Sequence, residues 1–183
     1  MLPKIDGIIF EDYGKGFLAE RLVSEIVALA REGRKVIAAD PNPRHNIPWH
    51  GLSVVKPNRS EAFYAAGIPL QASDADDNIL KKVGAALLQK WQAELVLITL
   101  GEEGMMLFQR GQKPHHVPTK ARQVFDVSGA GDTAIALFTL ALCSGAAPLE
   151  AAEIANHASA VVVAKLGTAT VSPEELRKNF END

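Results

Sequence analysis

Apolar and polar residues fall along this chain in blocks, and the spacing inside the blocks changes from one to the next. Residues 5–10 form a short apolar run that ends at Glu11-Asp12 and the turn Tyr13-Gly14-Lys15-Gly16. Leu22, Val23, Ile26, Val27 and Ala30 recur at three-to-four spacing, which predicts an amphipathic helix stopping near Gly33. Residues 35–40 and 52–55 predict two more strands, with the loop Pro41-Asn42-Pro43 after the first. Pro57-Asn58 then leads into a short helix ending near Gly67, and Leu80, Val83, Leu87 and Trp91 mark the core face of a longer one. Residues 94–99 are continuous in apolar side chains, as expected for a central parallel strand covered on both faces.

From Gly101 the pattern changes. Residues 105–109 and 114–119 predict short strands joined by a turn around Gly111. After Gly129-Ala130-Gly131 a helix apolar on nearly every face runs to about Ser144, which predicts full burial. Residues 149–165 predict another helix, with Gly167 as its C-cap. Ser172-Pro173-Glu174-Glu175 places serine at an N-cap, proline at the first helical position and glutamate at the third, and opens a final short helix. Strands alternating with helices predict a layered α/β sheet, mostly parallel, and the length favours one domain over residues 1–183.

Composition narrows the function classes. Hydrophobic residues make up 47% and charged ones 22%, as in ordinary globular proteins. A net charge of −3 offers nothing to nucleic acid or to an acidic membrane surface. The longest uncharged stretch, residues 133–149, is too short and too interrupted by Gly145 and Pro148 to span a bilayer. The first six residues do not read as a signal peptide. The single cysteine, Cys143, allows no internal disulfide, so a cytoplasmic setting is the expectation, with Cys143 an inert buried thiol. The five histidines lack a metal-ligand spacing.

Four segments carry candidate chemistry. Asp126-Val127-Ser128-Gly129-Ala130-Gly131-Asp132-Thr133 stands just before the apolar helix. Its small residues admit close approach of a ligand to the backbone, and N–H groups at a helix N-terminus favour an anion such as phosphate. Asp132, in the first turn, can accept a proton from an attacking hydroxyl. On spacing alone, a glycine-rich turn with Asp132 as a helix-capping carboxylate is an equal alternative. Asn58 with Glu61 has capping-box spacing. Thr99-Leu100-Gly101-Glu102-Glu103-Gly104 follows a buried strand and by itself reads as an ordinary connection. Lys15 and Asp40 follow apolar strands and should open onto the same rim as Asp132. Lys15 can neutralise phosphate charge, or be a solvated turn lysine.

Taken together these segments resemble the ribokinase-like (phosphofructokinase B-type) carbohydrate kinases. The turn ending Gly129-Ala130-Gly131-Asp132 matches that family's C-terminal signature, and Asn58-Arg59-Ser60-Glu61 matches its Asn-x-x-Glu motif. Asp12-Tyr13-Gly14-Lys15-Gly16 and the run from Asn156-His157-Ala158 to Gly167-Thr168-Ala169-Thr170 look most like its heptose-7-phosphate kinases, which feed lipopolysaccharide core synthesis. The resemblance implies a three-layer α/β/α ribokinase-like sheet, with ATP and magnesium as cofactors and a sugar phosphate as acceptor. It implies Asp132 as catalytic base, Gly129, Ala130 and Gly131 as the anion hole, and Lys15 as a phosphate clamp. Thr99, Gly101 and Gly104 would border the ribose and phosphates, Asn156 the adenine, and Asp40 the same nucleotide rim. Asn58 and Glu61 would organise magnesium and phosphates, Glu61 through water. On its own, Asn156 is equally a polar residue on a helix face.

The match runs from about Ile5 to about Leu176 but covers only the second half of the family's kinase domain. Early strands, most sugar-binding residues and a lid are therefore expected to be missing. The chain alone is expected to be a poor kinase that self-associates or pairs with an N-terminal half. A nucleotide-binding remnant is the competing reading. A Rossmann dehydrogenase fits badly, because no Gly-x-Gly-x-x-Gly follows an early strand.

Overall fold

The computed structural model describes residues 4–45, 47–70 and 77–182; of the N-terminal reading above, Met1, Leu2 and Pro3 lie outside them. Six strands form one sheet in chain order: β1 (Gly7–Glu11), β2 (Val36–Asp40), β3 (Val54–Val55), β4 (Leu95–Thr99), β5 (Met105–Gln109) and β6 (His115–Val117). The first four run parallel, and β5 and β6 are antiparallel additions. The helices are α1 (Glu20–Glu32), α2 (Arg59–Ala66), α3 (Asp77–Trp91), α4 (Ala130–Cys143), α5 (Pro148–Val163) and α6 (Pro173–Glu181).

Alternation along each strand sorts the core into two layers. Ile37, Ala39, Val55, Val96, Ile98, Met106 and Phe108 pack with α1, α2 and α3, including the predicted face Leu80, Val83, Leu87 and Trp91. Their neighbours Ala38, Val54, Leu95, Leu97, Met105 and Leu107 turn to the other side and meet α4 and α5. The result is the three-layer α/β/α sheet, and β4 is buried on both faces as its apolar run predicted.

Several boundaries differ from the sequence reading. β1 is displaced to end at Glu11, because Glu11 is held in register with Asp40 of β2. The ladder of β3 holds only two residues. β6 loses Pro114 and Pro118, which have no N–H to donate. Helix α5 is capped at Ala164, and Gly167 lies beyond it with φ 71°. Full burial of α4 is not observed: Ala134, Ile135 and Phe138 are buried, but Leu140 is 60% exposed and Ala136 also faces out. Cys143, on that partly uncovered helix, is half-buried rather than interior, and burial still raises its pKa. No helix among the described residues is long and apolar enough to cross a membrane.

Candidate active site

The carboxyl ends of β1, β2 and β3 lie side by side, and strand parity decides what they present. Ile9 and Ala38 pack on the α4 side, so Glu11 and Asp40, two residues further, point to that side as well. Val54 packs there too, which turns Lys56 the same way. Lys56 is 3% exposed, and its Nζ lies 2.8 Å from Asp40 Oδ2. Above these ends stands the turn that starts α4. Gly129 is its N-cap in the left-handed region, at φ 78°, where a side chain would be strained. Gly131 has no such φ; its need is space, because a Cβ there would lie 3.3 Å from Lys56 Nζ. The N–H of Ala130 donates to Val127 O at 3.2 Å. Those of Gly131 and Asp132 have no backbone acceptor among the described residues.

Asp132, in the first turn of α4, accepts a hydrogen bond from the Tyr13 hydroxyl at 3.1 Å, a bond that raises the tyrosine pKa. Carboxylate oxygens of Glu11, Asp40 and Asp132 lie within 4.8 Å of one another. Burial, with repulsion from Asp40 and Asp132, pushes the Glu11 pKa up to about 7, against a smaller opposing pull from Lys56. Burial raises Asp40 as well, opposed by the Lys56 ammonium.

Two pockets open on either side of this junction. One, about 560 Å³, is lined by Glu11, Asp12, Tyr13, Asp40, Asn42, Arg44, Ser60, Glu61 and Tyr64. Asp12 is buried at its base, where it pairs with His45 at 3.0 Å and accepts the Gly14 N–H. The other is a cleft of about 460 Å³ lined by Thr99, Gly101, Gly104, Met105, Thr119, Val124, Val127, Ala130, Gly131, Asn156, Ser159 and Val163. Asn156 is buried there and donates to Pro118 O at 2.6 Å. Asn58 and Glu61 form the predicted capping box of α2: Asn58 Oδ1 accepts from the Glu61 N–H at 2.9 Å and Glu61 Oε2 from the Asn58 N–H at 2.8 Å. Asn58 also bridges to Thr99, so this helix start is tied to the end of β4. Burial raises the Glu61 pKa.

The structure thus gathers Thr99, Gly101, Gly104, Asn156, Ala130 and Gly131 around one cleft, and Asp40 and Glu61 around the adjoining pocket. Lys15 is not brought in. Residues 13–17 are all exposed; Lys15, like Asp132 and Lys56, lines neither pocket, and unlike them it has no partner in the carboxylate cluster among the described contacts. The lysine paired within the carboxylate cluster is Lys56, which sequence reading missed together with Glu11. The signal was parity: each stands two residues after a strand residue that packs toward α4.

Comparison with known proteins bears on what this arrangement is. The model of the pfkB family of carbohydrate kinases matches residues 17–175. The chain belongs to that family. It is 41% identical over 181 residues to the bifunctional protein HldE of Desulfatibacillum aliphaticivorans, covering 99% of this chain and 36% of that protein. To its counterpart in Geobacter sulfurreducens it is 42% identical over 169 residues, 92% of this chain and 34% of the relative. The chain therefore spans about a third of the length of these curated relatives. Among solved structures, a ribokinase from Thermotoga maritima superposes with TM-score 0.79 at 22% identity, over 97% of this chain and 57% of the other. An Arabidopsis thaliana ribokinase complexed with ribose and ATP gives 0.81 at 20%, over 98% and 57%. At these identities the superpositions speak for the ribokinase-like fold, and the family membership rests on the sequence matches.

Proposed function

We propose that this pfkB-family chain holds ATP and the proton-accepting base for phosphoryl transfer to a hydroxyl of a sugar phosphate, of the heptose 7-phosphate class. The observation that carries this is the position of Asp132. It follows Gly131 of the cleft directly, and it is hydrogen-bonded to Tyr13 of the other pocket. A base in that place meets an acceptor hydroxyl on one side and a phosphate on the other.

The cleft suits a nucleoside, with apolar walls and one buried amide, Asn156, for orientation. Thr99, Gly101 and Gly104 then flank the ribose and phosphates. The turn Gly129-Ala130-Gly131 supplies the anion hole, with the N–H groups of Gly131 and Asp132 facing negative charge at the positive end of α4. Asp132 takes the hydroxyl proton, and Tyr13 orients its carboxylate. Lys15 stands in solvent, so no lysine of that turn is given the phosphate charge. Asp40 and Asn58 shape the phosphate end. Glu61, half-buried and anchored by Asn58, fits magnesium held through water, since that ion prefers oxygen donors and keeps much of its hydration. Magnesium supplies positive charge that screens the phosphates. The products are ADP and a doubly phosphorylated sugar, in the cytoplasm where ATP is made available.

A second reading, a nucleotide-binding unit silent without a partner, is favoured by the outer edge of β1, unpaired among the described residues, and by the exposed Leu140. Calorimetry with ATP and with NADH, followed by a coupled ADP-release assay with heptose 7-phosphate, tests both. ATP binding without NADH binding is expected. Failure to bind ATP overturns the proposal. Turnover at about 1–100 per second by a monomer would discard the second reading.

A further inference from the structure

One cation is buried beside the carboxylates of this junction. Lys56 leaves the end of β3, is almost fully enclosed, and sits 2.8 Å from Asp40 beneath the turn of α4. We propose, resting on the kinase reading above, that Lys56 is a positioning residue for the transfer site: its ammonium, anchored on Asp40 under Gly131, is the fixed counter-ion that holds Glu11, Asp40 and Asp132 together where the two pockets meet.

A buried ammonium is costly unless it is paired, and a cluster of carboxylates is costly unless a cation or protons offset it. Each defect here offsets the other. Facing Lys56 are Glu11 from β1, Asp40 from β2 and Glu61 from α2; Asp132 from α4, which accepts from the Tyr13 hydroxyl, joins through Glu11 and Asp40, within 4.8 Å of both. Lys56 draws Glu11, Asp40 and Glu61 toward their charged forms, while burial pushes all three the other way. Its position comes from the sheet: the Lys56 N–H donates to Ala39 O at 2.9 Å, continuing the ladder between β2 and β3. A lysine on an exposed turn has no such anchor. The ammonium also lies close under the turn: a Cβ at Gly131 would come 3.3 Å from Nζ, a tight approach, with Asp40 Oδ2 at an ordinary 3.8 Å. Lys56 therefore acts through the cluster and the turn, with its ammonium engaged by the Asp40 carboxylate.

Carboxyl-detected NMR titration of the uniformly labelled chain tests this without nucleotide or sugar, so the result stands whether or not the chain transfers phosphate. In Lys56→Met the titration midpoints of Glu11 and Asp40 are expected to rise by about one unit or more, and the Gly131 amide resonance to move. Lys56→Gln keeps a hydrogen bond to Asp40 and should show the same rise if the methionine variant does not fold. Unchanged Glu11 and Asp40 midpoints in a folded variant would overturn the proposal. In the unsubstituted chain, the Lys56 Nζ resonance should respond as Glu11 titrates. An Nζ signal indifferent to that step would overturn it equally.

Discussion

The cleft behind Gly131 and the pocket beside Tyr13 approach each other near Asp132, yet four carboxylates line the pocket and one, Glu102, the cleft. The cleft is lined by Met105, Val124, Val127, Ala160 and Val163, with Asn156 as its buried polar group. The pocket is lined by Glu11, Asp12, Asp40 and Glu61, together with Arg44, Tyr13, Tyr64, Pro41 and Pro43. Apolar walls give a flat base area without demanding compensation. Converging carboxylates demand it at once, and the structure answers with buried Lys56 and with a Glu11 that keeps its proton to about pH 7. A nucleoside can thus be held by packing, while the reacting end needs a balanced charge assembly. On the proposed function, the difference assigns binding to one side of Asp132 and chemistry to the other.

Asp132→Asn should break the comparison most sharply. Phosphoryl transfer, in any preparation that shows it, should fall by about 10²–10⁴-fold, with ATP affinity nearly unchanged, because only the proton acceptor is lost. Single-turnover kinetics beside calorimetry measure the two, and near-normal transfer by the variant would sink the assignment.

Gly131→Val should then separate the ends of the nucleotide. A branched side chain at the turn stands against Lys56 and the phosphate approach, so ATP affinity should drop by about tenfold or more, while adenosine binds as before. Equal losses for both ligands would mean that the phosphates do not lie at this turn.

Glu61→Gln leaves an acceptor for the Asn58 N–H, so α2 should keep its cap. The magnesium concentration for half-maximal activity should rise by about 10–100-fold, as for groups that hold a metal through its outer shell. An unchanged magnesium requirement would leave Glu61 with the cap alone.

The smallest effect is one of pH. Glu11 has its pKa raised from 4.5 to about 7, so the folded chain keeps a proton that the unfolded chain releases. Between those values the unfolded state binds fewer protons, and stability contributed by this group falls as pH rises. Glu11→Gln is neutral throughout. It should flatten that decline and unfold at higher urea than the unsubstituted chain near pH 8. Parallel urea midpoints for the two proteins at about pH 5 and pH 8 would show that Glu11 is not held protonated.

What could be read along the chain was whatever depends on near neighbours. The face Leu80, Val83, Leu87 and Trp91, the boxes Asn58–Glu61 and Ser172–Glu175, and the double-sided burial of β4 all follow from spacings of one turn or one pleat. The resemblance carried by the Gly-Ala-Gly-Asp turn located the cleft, and Thr99, Gly104 and Asn156 do converge on it. Lys15 was chosen because it sits in a recognisable motif, but the turn leaves it in solvent. Lys56 gave no such cue, since it follows the strand predicted over residues 52–55 and belongs to none of the motifs. Its burial depends on Asp40 in another strand and on the space left by Gly131 in a distant helix. Sequence by itself determined the elements and the turn that starts α4. That Lys56 and Glu11, and not Lys15, would join Asp40 and Asp132 there was decided only by the tertiary structure, because the free energy of a buried charge is a property of the groups that surround it and not of its place in the chain.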